Sequence, residues 1–156
     1  LRIRDGESAG ELEARLAVAG ARLLERELPR YLAGELSPRP QEEHAVTWAP
    51  KLRPAGGELD LARPAEELAR VVRAFTPQPG AFSMFRGTRL GVLRASVAGG
   101  SPAECGTLAI REGVPHVAAG AGWLRLDEVR LAGRRAMSGA EWARGLRDVR
   151  GVRLPS

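Results

Sequence analysis

The sequence predicts a mainly β fold: a small five-stranded barrel with short helices, preceded by a linker and one long helix. Three observations predict it. Between Ala81 and Leu131, five short strand-like runs are separated by turns containing Gly or Pro. Ahead of them, Leu68, Val71, Val72 and Phe75 fall at i, i+3, i+4 and i+7, the apolar stripe of a short helix. Ahead of that, residues 35–63 carry Pro38, Pro40, Pro50, Pro54 and Gly56-Gly57, which break every period.

The elements follow in chain order. Ser8-Ala9-Gly10-Glu11 is a capping box, in which the Ser8 hydroxyl accepts from the amide of Glu11 and the Glu11 carboxylate accepts from the amide of Ser8. A long helix starts there. Leu12, Leu16, Leu23 or Leu24, Leu28 and Leu32 trace its drifting stripe, and Gly34 suits the left-handed position that closes a helix. No second helix of similar length is available to cover that stripe. The linker leaves room for a short extended piece at His44 to Trp48. Pro64 suits the first position of the second helix, and Glu66 and Glu67 suit its positive end. Pro77 stops that helix, and Thr76 before it is pushed toward extended geometry.

The predicted strands are Ala81–Phe85, Leu90–Val97, Gly106–Ile110, Val114–Ala118 and Trp123–Leu131. In the last, Leu124 and Leu126 share one face while Val129 and Leu131 have the opposite parity, so a bulge near Asp127-Glu128 turns both pairs inward. Ser138-Gly139-Ala140-Glu141 is a second capping box, with Trp142 and Leu146 at i and i+4. Five short strands and a capping helix suggest a closed barrel of the oligonucleotide-binding kind. The predicted divisions are residues 1–34, 35–63 and 64–156.

Composition narrows the function. With seven aromatic residues in 156, the core is filled mostly by aliphatic side chains. The single Cys105 excludes an intrachain disulfide and fits a cytoplasmic setting. No stretch approaches the roughly 18 uninterrupted apolar residues of a membrane span, so no membrane partner is expected. Charge is unevenly placed: residues 1–47 carry seven Arg against nine acids, and residues 48–156 carry sixteen Arg and Lys51 against ten acids. The β-rich part therefore holds a net +7 of the overall +5. Such a basic domain implies a polyanionic partner, nucleic acid before membrane, although a generally Arg-rich surface also accounts for part of the excess.

Catalytic and metal-binding patterns are missing. His44 and His116 are the two imidazoles, and neither has a second His or Cys at ligand spacing, so both read as structural. Cys105 has no neighbouring base and reads as core packing. The remaining candidates are cations. Arg70 has Glu66 four residues earlier and reads as a surface ion pair, whereas Arg73 ends the helix with no such partner. Its position suits either stabilisation of the helix end or a ligand role. Arg86 and Arg89 flank the Gly87-Thr88 turn, Arg134-Arg135 is a basic pair ahead of the second capping box, and Lys51, the only lysine, lies in the linker near Arg53.

The order of four motifs adds to this. Gly6 to Leu12, Ala49-Pro50-Lys51-Leu52, the run from Arg73 through Pro79-Gly80-Ala81-Phe82, and Gly133-Arg134-Arg135-Ala136-Met137-Ser138 together resemble the C-terminal half of the methionyl-tRNA formyltransferases. The chain departs from the family's pattern at Leu61, Thr76 and Gln78. The resemblance implies a leading helix left over from an upstream α/β domain, a linker and an oligonucleotide-binding-like barrel. It implies a parent that formylates initiator methionyl-tRNA using 10-formyltetrahydrofolate as cosubstrate, with the catalytic domain upstream in cis. The family's catalytic Asn, His and Asp belong to that upstream domain, and this chain contains no Asn. No cofactor, metal or catalytic residue is expected here. The residues expected to touch tRNA are Lys51, Arg53, Arg73, Arg86, Arg89, Arg134 and Arg135. Other readings are the barrel of a different folate-dependent formyltransferase, a single-stranded RNA binder with Phe82, Phe85 and Trp123 as platforms, or a protein-interaction module using the first helix.

Overall fold

The computed structural model describes residues 1–146, 148–149 and 151–155. Its first helix, α1, spans Ala9–Leu32 and opens on the capping box, with the Ser8 amide donating to Glu11 Oε2 at 2.8 Å and the Glu11 amide to Ser8 Oγ at 3.3 Å. Gly34, at φ 78°, takes the left-handed position that ends it. None of its residues is buried, and Leu16, Leu23, Leu24, Leu28 and Leu32 lie exposed. The helix touches the rest of the protein through its first turn. There the Gly10 amide donates to the Thr76 carbonyl at 3.1 Å, and a side chain on Gly10 would collide with the Pro77 ring.

The connecting segment forms two single 3-10 turns, Glu43–Ala45 and Pro54–Gly57. The expected extended piece at His44 to Trp48 forms no strand: the 3-10 turn takes its first residues, Val46 is extended, and among the described residues no strand pairs with it. Leu59 and Leu61 are buried, so core packing reaches back past Pro64. Helix α2 spans Ala65–Phe75, with Pro64 as its cap rather than its first turn. Leu68, Ala69, Val72 and Phe75 bury its apolar face, each large side chain contributing about 1.5 to 3 kcal/mol. Glu67 pairs with Arg63 at 2.5 Å, and the expected Arg70 to Glu66 pair is not formed among the described residues.

The strands are β1 (Ala81–Phe85), β2 (Thr88–Ala98), β3 (Leu108–Arg111), β4 (Val114–Ala118), β5 (Trp123–Leu131) and β6 (Met137–Ser138). All pair antiparallel in the order β1-β2-β5-β4-β3, with the two-residue β6 also on β5. This corrects the expectation of a closed five-stranded barrel. Among the described residues the sheet has six strands and is open, and chain from outside the strands occupies both of its ends. The Leu59 amide donates to the Phe82 carbonyl at 2.8 Å beside β1, and the Leu108 amide to the Val152 carbonyl at 3.0 Å beside β3. Both edges are thereby shielded from pairing with another chain.

The expected bulge is present where β2 meets β5. Ala95 pairs with Leu126 and Val92 with Val129, leaving Asp127 and Leu93 as the extra residues, so Leu126 and Val129 both point inward. Helix α3 (Gly139–Arg144) carries the second capping box and sets Trp142 edge-on to Phe85, ring centres 5.0 Å apart. Cys105 is half-buried in a turn rather than in the core, since its neighbours Gly106 and Thr107 make the backbone bonds that start β3. No described helix is long and apolar enough to cross a membrane.

Candidate nucleic-acid interface

The β2–β5 pair puts Leu90, Val92 and Val129 into the core, which leaves Gly91, Leu93 and Arg130 on the outer face. Gly91 pairs with Arg130 and offers no side chain. The ladder then runs on, because the Ala132 amide donates to the Arg89 carbonyl at 3.0 Å. The Arg134 amide closes the next turn on the Leu131 carbonyl at 2.9 Å, which brings Arg134 round beside Arg89. These strands and the Pro79-Gly80 corner enclose a groove of about 490 Å³ lined by Arg89, Arg130 and Arg134, with no acidic residue among the described residues that line it. Arg89 lies over the Phe82 ring, its guanidinium carbon 3.7 Å from the ring centre. None of the three arginines forms an ion pair among the described residues.

Leu93 and Arg130 also border a second groove of about 590 Å³, closed on its far side by Gly6, Ser8 and Glu11 at the start of α1. Arg73 and Arg94 line it, but so do Glu11, Asp127 and Glu128. Arg94 lies 3.6 Å from Glu11, and Asp127 accepts from Ser96 Oγ at 2.8 Å and pairs with Arg125 at 3.1 Å. The Glu11 carboxyl is held below the usual carboxylate range, first by the Ser8 amide and then by the Ser8 hydroxyl. It therefore stays charged near Arg94. The second groove is internally compensated, and the first is the one with cationic charge left for an outside anion.

Of the seven cations expected to touch RNA, Arg89 and Arg134 meet in the first groove, and Arg73 lies half-buried in the second. Arg86 is held elsewhere, donating to the Asp148 carbonyl at 3.0 Å, and Arg135 lies beside Glu141. Lys51 and Arg53 are exposed on the connecting segment and line neither groove. Arg130, which borders both grooves, and Arg94 were not among the expected residues. The signal for Arg130 was strand parity: it follows inward Val129 in a run whose bulge was already legible.

The comparisons agree with this architecture. Residues 51–147 match the family model described as formyl transferase, C-terminal domain. The chain belongs to this family. Among the methionyl-tRNA formyltransferases it is similar to, that of Parafrankia sp. (strain EAN1pec) is 44% identical over 149 residues, 94% of this chain and 48% of that protein. That of Myxococcus xanthus is 41% identical over 143 residues, 92% of this chain and 46% of that protein. The chain thus spans about half the length of the curated relatives it matches. Among solved structures, a variant of HypX from Aquifex aeolicus shares the fold at a TM-score of 0.66 and 21% identity, covering 91% of this chain and 26% of that one. HypX in complex with tetrahydrofolic acid aligns at a TM-score of 0.55 and 25% identity, over 74% of this chain and 21% of that one. Within the formyl transferase C-terminal domain, the acid-free groove sits on the sheet face between the Pro79-Gly80 corner and the Gly133-Arg134 turn.

Proposed function

We propose that this chain is the tRNA-binding C-terminal part of a methionyl-tRNA formyltransferase, a cytoplasmic enzyme that formylates initiator methionyl-tRNA from 10-formyltetrahydrofolate. The observation that carries the reading is the groove in which Arg89, Arg130 and Arg134 converge without a carboxylate, in a domain of the formyl transferase family. Guanidinium groups without acidic partners attract phosphate, and each contact releases counterions from the RNA. Contacts of that kind position a nucleic acid without reading its sequence. The domain therefore orients the tRNA, and the chemistry belongs to an upstream domain in cis, because this chain has no Asn to serve as the family's catalytic amide.

The same reading divides the chain into residues 1–34 as the last helix of the upstream α/β domain, 35–63 as a linker whose end packs on the core through Leu59 and Leu61, and 64–156 as the open-sheet β domain. It gives the exposed leucines of α1 a place against that upstream domain. Lys51 and Arg53 then extend the cationic track along the linker. The test is filter binding of initiator tRNA to the 156-residue chain, beside a formyl-transfer assay on the same preparation. Salt-sensitive binding with no transfer is the expected pair of results. Transfer by this chain alone, or no affinity at low salt, overturns the reading.

A further inference from the structure

Proteins that hold unpaired nucleotides ordinarily stack the bases on exposed rings. This β domain has given its rings to the core: Phe75, Phe85, Trp123 and Trp142 are 8%, 6%, 3% and 4% exposed. Phe82 is half-buried, and Arg89 covers it at 3.7 Å. A guanidinium at that distance has one face on the ring, and because Arg89 remains exposed, its other face opens on the groove. A planar guanidinium is itself a stacking surface for an unpaired base, which a lysine ammonium is not.

The shape of the groove points the same way. A duplex crossing the sheet needs only a charged ridge, whereas this is a hollow of about 490 Å³, inside the roughly 300–1,000 Å³ typical of small-ligand sites. Part of its floor is bare backbone at Gly91, where an added Cβ would lie 3.3 Å from the Arg130 carbonyl oxygen. Resting on the tRNA-binding reading, we propose that this groove takes one unpaired nucleotide of the RNA. The base stacks on the open face of Arg89, and the adjoining phosphate sits between Arg130 and Arg134.

Fluorescence anisotropy with the whole chain tests this, using a short mixed-sequence single-stranded RNA and a blunt RNA duplex of equal nucleotide count as probes. The single strand binds more tightly than the duplex. Arg89→Lys keeps the charge and removes the plane, so it weakens single-strand binding roughly tenfold and leaves duplex affinity and salt slope unchanged. Phe82→Leu, which removes the support under that plane, gives the same selective loss. Arg130→Ala weakens both probes and lowers the salt slope by about one. Tighter duplex binding, or single-strand affinity indifferent to Arg89→Lys, overturns the nucleotide pocket while tRNA binding stands. Failure of the parent chain to bind any RNA overturns both.

Discussion

Arg130 stands opposite Gly91 in the β2–β5 ladder, so the strand that faces this arginine contributes no side chain to cover it. The cation is left open to an outside anion by what its partner lacks. Gly91→Leu should therefore fill the groove floor from β2. It should lower tRNA affinity several-fold and also lower the thermal unfolding midpoint modestly, because the new side chain lies on the outer face but its Cβ presses on the Arg130 carbonyl oxygen at 3.3 Å. An unchanged affinity would place the RNA elsewhere.

Gly139 is a structural counterpart with no role in binding. A Cβ there would overlap the Leu126 carbonyl oxygen on β5 and press on Pro115 of β4, both part of the sheet that α3 caps. Gly139→Ala should destabilise the domain by about 2 kcal/mol or more, read as a shifted denaturant midpoint. Stability equal to the parent would mean that α3 does not dock where described.

Acid should loosen both capping boxes. Glu141 is held below the usual carboxylate range first by the Ser138 amide and then by its hydroxyl, and Glu11 likewise by Ser8. A folded-state pKa lowered in this way contributes stability that is complete above the unfolded value, about 4.3, and is lost as pH falls through the folded value. Helix content should fall with acid below the ordinary carboxylate range. Glu11→Gln and Glu141→Gln should each flatten that loss. An acid transition identical in all three proteins would remove the caps from the account.

Proteolysis reports on the connecting segment. Residues 35–53 are exposed almost throughout and hold only the turn at Glu43–Ala45, whereas Leu59 and Leu61 are in the core. Trypsin should cut first after Lys51, since Arg39 and Arg53 each precede a proline, releasing α1 from a resistant β domain. First cuts after Arg125 or Arg130 would contradict the described packing.

The local part of the structure was legible in the sequence. Both capping boxes, the stop at Thr76-Pro77 and the bulge at Asp127 follow from spacing and parity within a few residues. The two-residue β6 has no periodicity to read, and the edges of the open sheet are met by Glu58-Leu59 and Val152, which are distant in sequence. The candidate site divides along the same line. Arg89 and Arg134 were visible as unpaired cations at turns, but Arg130 alone looked like any solvated strand residue, and only β2–β5 pairing sets it between them. Arg86 looked equivalent to Arg89 and is instead held by the Asp148 carbonyl, a partner 62 residues away.

The most direct test is the salt dependence of initiator tRNA binding to the chain and to its Arg89→Ala, Arg130→Ala and Arg134→Ala variants. If Arg130 and Arg134 each neutralise a phosphate, log affinity falls with log salt and each of those two variants lowers the slope by roughly 0.7 to 0.9, while Arg89→Ala, which loses the stacking plane, weakens binding at every salt concentration. Arg86→Ala, whose guanidinium is held by the Asp148 carbonyl, should leave the slope nearly unchanged. An affinity independent of salt, or a slope that neither Arg130→Ala nor Arg134→Ala moves, would contradict the account.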